Sequence, residues 1–153
     1  MRIREATVSD LKELQELYRG TITIVNRKDY TPEQIEAWAS TANRTESLTR
    51  KIIGQHFYVA EENNQIAGFA SLESSGHLDM MYVHKDFQNM GIAKRLLQKI
   101  IETAATLSIT KLKTAASITA KPFFEKHHFK TIQQQTVRIR DIELINFKME
   151  RVI

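Results

Sequence analysis

Six consecutive residues, Gln88-Asn89-Met90-Gly91-Ile92-Ala93, have the types and the order needed to bind a phosphate group. They follow a predicted strand and precede a run, residues 92–105, in which apolar side chains recur at helical spacing. The N–H groups of a first helical turn are free, and the helix dipole adds partial positive charge there. Gly91 has no Cβ and lets a phosphate approach the backbone. The spacing therefore predicts a site for a phosphate or a pyrophosphate.

A second set of chemistry-bearing residues lies in the predicted strand itself, residues 76–83. Strict alternation along this strand gives one face to His77, Asp79, Met81 and Val83, and the other to Leu78, Met80 and Tyr82. An imidazole exchanges its proton near neutral pH, so His77 is a candidate general base. Asp79 can bind an ammonium group or order a water, and Glu73, on the neighbouring predicted strand, is a third candidate. A solvated polar strand edge explains the same residues equally simply.

The elements that must position these residues are predicted from two periodicities of apolar residues, about 3.6 residues for helices and two residues for strands. Thr31-Pro32-Glu33-Gln34 is a capping-box start for a helix that carries Trp38. Asn63-Asn64 tolerates positive φ and predicts a hairpin turn. Strands are predicted over residues 2–6, 57–59, 66–72, 76–83, 111–116, 129–137 and 142–149, and helices over residues 10–19, from 32, 92–107 and 119–127, with a short one near 47–53. The sequence therefore predicts a mixed α/β fold of about seven strands and about four helices.

The composition fits one globular domain, residues 1–153, with 42% hydrophobic and 26% charged residues. No run approaches the roughly 18 apolar residues of a membrane helix, and no signal peptide opens the chain, so a cytoplasmic location is expected. The chain has no cysteine, which excludes acyl transfer through a cysteine thioester. His127 and His128 are adjacent, so their side chains diverge, and no metal site is expected.

The charge balance is modestly basic. The net charge of +4 comes from 22 Lys and Arg against 18 Asp and Glu, and the basic residues are spread along the chain. A nucleic-acid partner is therefore not expected, because such a surface needs clustered basic residues with aromatic residues among them. The excess can attract a polyanionic ligand, or it can simply solvate the surface.

Gln88, Gly91 and Ala93 resemble the signature Gln/Arg-x-x-Gly-x-Gly/Ala of the GNAT superfamily of N-acetyltransferases. Residues 120–129, Ala-Lys-Pro-Phe-Phe-Glu-Lys-His-His-Phe, resemble the second landmark of that family, Ala-x-x-Phe-Tyr-Glu-Lys-x-Gly-Phe. Tyr-Thr-Pro-Glu-Gln before a tryptophan, at residues 30–34, makes the chain similar to the bacterial YafP-like group. The resemblance implies acetyl-CoA as acetyl donor and a GNAT fold. In that fold a central twisted mixed sheet splays after its fourth strand, where coenzyme A enters.

The resemblance also implies which residues hold the donor. A backbone N–H at Met81 or Tyr82 would hydrogen-bond the thioester carbonyl and act as a small oxyanion hole. Ser117 stands where relatives often have an asparagine that contacts pantetheine. The implied cofactor site comprises Met81, Tyr82, Val83, Gln88, Asn89, Met90, Gly91, Ile92, Ala93, Lys94, Ser117 and Phe124.

Two positions depart from the family pattern. Phe124 replaces a tyrosine whose hydroxyl protonates the leaving thiolate in many relatives. Either the thiolate leaves unassisted or another tyrosine serves, and Tyr82, Tyr30 and Tyr58 are the alternatives; the catalytic candidates are then His77, Asp79, Glu73 and Tyr82. His128 replaces a glycine that normally adopts a left-handed conformation after a helix.

The first helices and their loop cover the acceptor site in this family, so Tyr30, Gln34 and Trp38 are the candidate substrate-binding residues. A tryptophan there can attract an ammonium group by cation–π interaction, and it can equally be core. We expect an N-acetyltransferase that acts on a primary amine by direct attack in a ternary complex. A catalytically weak acyl-CoA-binding sensor is the alternative, kept open by Phe124. A homodimer through the late strands is compatible with the exposed edge predicted near residues 137–149.

Overall fold

The computed structural model describes residues 1–153. One seven-stranded sheet runs through the molecule in the order β1-β2-β3-β4-β5-β7-β6. The strands are β1 (Arg2–Glu5), β2 (His56–Glu62), β3 (Gln65–Leu72), β4 (His77–Val83), β5 (Lys111–Ser117), β6 (Lys130–Ile139) and β7 (Ile142–Val152). The α-helices are α1 (Leu11–Ile24), α2 (Pro32–Ser40), α3 (Thr45–Gly54), α4 (Ile92–Thr106) and α5 (Lys121–Lys126).

The sheet opens between its two parallel strands. Neighbouring strands pair antiparallel everywhere except β4 with β5, which pair only at His77 with Lys113 and at Leu78 with Thr114. Beyond Leu78 the two strands diverge, so both lose their partner on that side. The predicted mixed sheet with a splay after its fourth strand is confirmed.

Helices pack on both faces of the sheet and create separate apolar clusters. Helices α4 and α5 lie on one face, where Leu96, Leu97 and Ile100 join the largest cluster. Helices α1 and α3 lie on the other face, with Leu14 and Leu48 in a second cluster. A third cluster joins α1 and α2 to β7. The amphipathic pattern of each helix selects the face it buries.

Gly68 on β3 sets the distance between α4 and the sheet. A Cβ at this position would lie 2.9 Å from Cγ2 of Ile92 and 3.1 Å from the backbone oxygen of Tyr82. The first turn of α4 therefore packs directly on the backbone of β3, which fixes where the start of α4 stands relative to β4.

Several local predictions are confirmed. The Thr31 hydroxyl accepts from Gln34 N and the Gln34 side chain accepts from Thr31 N, which completes the capping box. Asn63 and Asn64 have positive φ in the β2–β3 hairpin, and His128 has φ +70° after α5. Helix α1 continues five residues past the predicted end at residue 19, because tertiary packing of Ile22 overrides the weak helix propensity of Gly20. No helix has the length and hydropathy needed to cross a membrane.

Candidate active site

Two backbone amides of β4 point into the gap between β4 and β5. The amide of His84, just after β4, donates to the Ala67 carbonyl on β3 at 2.8 Å. Hydrogen-bonded and non-hydrogen-bonded pairs alternate along antiparallel strands, so Tyr82 also bonds to β3. The amides of Met81 and Val83 then face the opposite side, where β5 has diverged. Of the two predicted oxyanion donors, Met81 has the suitable direction and Tyr82 does not.

The predicted phosphate turn joins this gap to the start of α4. Gly91 is the N-cap of α4 with φ +81°, no side chain caps the helix, and no atom lies within 4 Å of a Cβ built at this glycine. The first amides of α4 therefore face open space. The first turn contains no acidic residue but holds Lys94, although a cation at a helix N-terminus opposes the dipole. An anion bound at the turn would compensate both features.

The Gln88 side chain stabilises the turn by a hydrogen bond to the end of β4. Its Nε2 donates to the Val83 carbonyl at 2.7 Å, and the Thr21 hydroxyl on α1 donates to the same oxygen at 2.8 Å. The Gln88 side chain therefore ties the turn to the end of β4. The adjacent Asn89 has φ +59° and is exposed, as is Met90.

A group of cations near the start of α4 was not foreseen from the sequence. Burial lowers the pKa of His127, and the nearby charges of Lys126, Lys94 and Arg151 lower it further. Arg151 on β7 donates to the His127 carbonyl at 3.1 Å. The end of α5 therefore brings positive charge beside the phosphate turn. No sequence pattern revealed this, because the cations come from three separate elements.

The His77–Asp79 pair lies at the start of β4, where Nε2 of His77 is 3.9 Å from Oδ1 of Asp79. The other carboxylate oxygen of Asp79 accepts from Nζ of Lys51 and from Nε2 of Gln55, both at 3.0 Å. Burial raises the pKa of Asp79, but the hydrogen bonds from Gln55 and Lys51 outweigh it, so the pKa lies below its ordinary value. Asp79 is therefore held ionised by α3.

One part of the strand prediction is wrong. Leu72 pairs with Leu78 and Ser71 with Met80, so Asp79 is an extra residue in β4, a β-bulge. The bulge reverses the alternation, so Met81 and Val83 pack on the α4 side, not on the face of His77 and Asp79. Leu78 likewise lies on the α4 side, not beside Met80 and Tyr82. Glu73 lies just past β3 in the turn to β4, where its amide bonds the His77 carbonyl.

Four aromatic side chains line the side of β4 that faces α1 and α2. Tyr82 stacks on Tyr18 with ring centroids 4.5 Å apart, and its edge meets Trp38 at 6.5 Å. Trp38 in turn meets Tyr30 edge to face at 5.3 Å. Burial raises the pKa of Tyr82 well above its ordinary value, and Tyr18 adds to the effect. No local sequence signal marks Tyr18 as a site residue.

Two of the predicted acceptor-binding residues also hold the fold together. The Tyr30 hydroxyl donates to the Ile145 carbonyl at 2.8 Å and accepts from the Ile118 amide at 2.9 Å. Burial raises its pKa. In the Gln34 side chain, Oε1 accepts from the Thr31 amide in the capping box, and Nε2 donates to the Glu143 carbonyl at 2.9 Å. Trp38, the third of these residues, has its side chain directed toward Tyr82 and Tyr30.

Three further predicted residues have defined positions. The Ser117 hydroxyl accepts from the Ala120 amide at 3.0 Å, so its own O–H stays free to donate. Phe124 is buried in the α4-side cluster against Phe129, with ring centroids 5.0 Å apart. Tyr58, the other alternative acid, pairs its hydroxyl with Thr103 at 2.7 Å inside the core and is remote from the gap.

A sheet that opens beside an uncapped helix start, with amides directed into the opening, forms a site suited to a phosphate-bearing ligand with a carbonyl group. The chain belongs to the GNAT family of acetyltransferases: the model of the acetyltransferase (GNAT) domain matches residues 26–151. The protein is an N-acetyltransferase by this membership.

The chain is similar to other N-acetyltransferases both in sequence and in structure. The chain is 32% identical to the uncharacterized N-acetyltransferase YafP of Escherichia coli (strain K12), over 97% of this chain and 94% of that protein. It is similar to a GCN5-related N-acetyltransferase structure from Rhodopseudomonas palustris with TM-score 0.96 and 29% identity, covering 99% and 95% of the two chains. A PaiA N-acetyltransferase from Thermoplasma acidophilum, solved in complex with coenzyme A, shares the fold with TM-score 0.84 at 21% identity, covering 99% and 98%. The predicted family and fold are confirmed.

Proposed function

We propose that this protein, acting as one acetyltransferase domain, transfers the acetyl group of acetyl-CoA to a primary amine by direct attack in a ternary complex. The observation that carries the proposal is the gap beyond Leu78, into which the amides of Met81 and Val83 point beside the free N-terminus of α4. One opening thus offers a donor for a carbonyl oxygen and donors for a phosphate.

The residues at the gap fit acetyl-CoA, which supplies the thioester carbonyl that the amine attacks. The amides after Gly91 would hold the pyrophosphate, because the space over this glycine is open. Lys94, Lys126 and Arg151 would hold the remaining negative charge of the nucleotide end. The Ser117 hydroxyl would donate to the pantetheine arm, and Phe124 would supply an apolar contact for it. The complex of the Thermoplasma relative with coenzyme A supports this choice of donor.

Met81 would supply the electrostatic part of catalysis. Its N–H is fixed by the strand and needs no reorganisation when charge develops on the carbonyl oxygen. The amine must lose a proton before it attacks, and His77 is the candidate base for this step. Asp79 faces the imidazole, which supports a role in orienting His77. Because Lys51 already pairs with Asp79, we do not assign the carboxylate to binding of the ammonium group.

The departing thiolate has no favourable proton donor among the tyrosines. Phe124 has no hydroxyl, and burial raises the pKa of both Tyr82 and Tyr30. Proton transfer from such a phenol to a thiolate of pKa near ~8.5 is uphill. We therefore propose that the thiolate leaves unprotonated and takes its proton from solvent. Trp38 and Tyr82 would form the wall of the amine pocket.

The first experiment combines calorimetry with a thiol assay. Acetyl-CoA and CoA are titrated into protein freed of carried-over ligand, and a pooled amine library is then added while free thiol is measured. Binding with amine-dependent thiol release supports the enzyme. Binding without release from small or peptide amines favours the acyl-CoA sensor instead. Absence of acetyl-CoA binding contradicts the assignment of the gap.

The role of His77 is tested by the pH–rate profile once an acceptor is known. The variant His77→Gln keeps a polar side chain of similar size but cannot take up a proton. If His77 is the base, kcat falls by about 10²–10⁴-fold and the limb that rises with pH disappears. An unaltered profile with unaltered kcat would remove His77 from the mechanism.

A further inference from the structure

Strand pairing gathers four lysines on one face of β5, β7 and β6. Lys113 pairs with Glu150, which pairs in turn with Lys130, while Lys148 is the partner of Ala115. Paired residues project from the same face of a sheet, and so do residues two apart on one strand. The basic face is therefore defined by Lys111, Lys113, Lys130 and Lys148, with Glu150 as its one carboxylate. These lysines are separated by as many as 37 positions in the chain and are neighbours only in the sheet.

Most of this positive charge is uncompensated. Glu150 forms an ion pair with Lys111 at 3.6 Å, and the other lysines in ion pairs are Lys51 and Lys85. Lys113, Lys130 and Lys148 are exposed and have no carboxylate partner within ion-pair distance. An acidic molecule can therefore reach three free ammonium groups here.

No helix covers this face. Helices α4 and α5 pack on the opposite face, against Leu112 and Ala116. Helix α2 reaches β7 only near Leu144. The side chains of β5 on the basic face, Lys111, Lys113 and Ala115, are accordingly exposed along the strand. The basic face is thus an open sheet surface rather than an enclosed pocket.

The basic face leads to the gap between β4 and β5. Its polar end is formed by Ser117 and by Asn146, which are cross-strand partners. Ser117 lies where β5 borders the gap, and Lys113 is four residues earlier, roughly 13 Å away along the strand. His77, the partner of Lys113 on β4, lies beside the same face. An extended chain that places its amine in the gap within reach of His77 would carry its next residues across Lys113 toward Lys148 and Lys130, which are two to three strand spacings away, roughly 10–14 Å.

We propose that the acceptor is the amine of an acidic peptide segment, and that the basic face binds the carboxylates that follow this amine by about three to five residues. The proposal rests on the proposed acetyltransferase function. A flat surface with separated charges suits an extended peptide better than a small molecule, which requires a concave site. The basic face contains no aromatic side chain, whereas surfaces for single-stranded nucleic acid offer rings for base stacking.

The test compares two peptides of eight residues, each with one free N-terminal amine. One has glutamates at positions three to five and the other has glutamines there. Their binding to the CoA-saturated protein is measured by calorimetry, and their acetylation by thiol release from acetyl-CoA. We expect the acidic peptide to have at least a tenfold higher kcat/KM at low ionic strength, and this preference to decrease as salt is added.

Charge-reversal variants distinguish an effect of the basic face on peptide preference from an effect of the protein's net charge. The double variant Lys113→Glu/Lys148→Glu should reduce the preference for the acidic peptide to about one. The control is the double variant Lys12→Glu/Lys28→Glu, which reverses two exposed lysines away from the basic face. It changes the net charge by the same amount as the first double variant. The control should keep the preference. Unfolding temperatures of all variants show whether each is folded.

The outcomes distinguish this inference from the proposed function. Equal kcat/KM for the two peptides contradicts the proposed role of the basic face. So does an equal loss of the preference for the acidic peptide in both double variants. Acetylation of small amines without binding of the acidic peptide overturns it and leaves the enzyme assignment intact. Tight binding of a single-stranded oligonucleotide in preference to the acidic peptide would also overturn it. Failure of the acetyl-CoA titration contradicts the proposed function itself, independently of the peptide result.

Discussion

Replacement of Gly91 by alanine tests the phosphate turn at its closest point. Gly91 has φ +81°, and a Cβ there would extend into space that no protein atom occupies within 4 Å. The left-handed conformation costs a residue with Cβ ~1–2 kcal/mol. For a protein of this size, that cost lowers Tm by roughly 3–6 °C. The folded protein should therefore survive, and the effect on ligand binding can be measured directly.

The methyl group of Gly91→Ala should displace the pyrophosphate from the first amides of α4. The loss of a charge-assisted hydrogen bond is worth ~1.5–3 kcal/mol, so acetyl-CoA should bind roughly 10- to 100-fold more weakly in calorimetry. S-acetylpantetheine lacks the diphosphate, and its affinity should not change. Gly54→Ala is the matched control, because Gly54 ends α3, has no positive φ and has open space around it.

The reasoning would be refuted by a Gly91→Ala variant that shows the decrease in Tm but binds acetyl-CoA like the parent protein. Equal weakening of acetyl-CoA and S-acetylpantetheine would also contradict it, since that result would indicate a general distortion of the site. A loss restricted to the diphosphate-bearing ligand identifies the turn as the pyrophosphate site.

Three further predictions concern other parts of the site. Gly68→Ala should lower Tm in thermal unfolding and weaken acetyl-CoA binding, because the new Cβ would lie 2.9 Å from Ile92 and displace the start of α4; an unchanged Tm would contradict the close packing. Lys51→Met should destabilise the protein at pH 7 but not in acid. The lowered pKa of Asp79 contributes stability that is present above its unfolded pKa and is lost as pH falls through its folded pKa, so the difference between the unfolding curves should vanish at low pH. His127 is neutral at pH 7 because burial and neighbouring cations lower its pKa, and a bound polyphosphate would favour its protonation. Acetyl-CoA affinity should therefore rise as pH falls, and identical pH profiles for His127→Gln and the parent protein would exclude this contribution.

Local sequence rules correctly predicted most of the elements and the glycine-bearing turn between β4 and α4. Three features involve only neighbouring residues and can therefore be predicted without the tertiary structure: the capping box at Thr31, the Asn63-Asn64 turn and the helical periodicity after Gly91. The motif around Gln88 and the second landmark at residues 120–129 together predicted the GNAT family. These features depend on φ/ψ preferences and on hydrogen bonds within a few residues.

Strand register decided what the sequence could not. The bulge at Asp79 exists because β4 pairs with β3 one residue out of step at Leu72, and strict alternation therefore assigned Met81 and Val83 to the wrong face. The partners of Asp79 are Lys51 in α3 and Gln55 directly after α3, and this segment has no sequence relation to β4. Their positions follow from helix packing on the sheet.

The distribution of charge illustrates the same division. In the sequence the lysines are spread out and predict no basic surface. In the sheet, β5, β7 and β6 bring four of them onto one face, because pairing brings residues distant in the chain to within a strand spacing of ~4.8 Å. The sequence by itself thus determined the family, the turn and the elements, which depend on short-range geometry. Only the tertiary structure decided which amide faces the gap, which cation holds Asp79 and where the positive charge collects, because each depends on contacts between residues far apart in the chain.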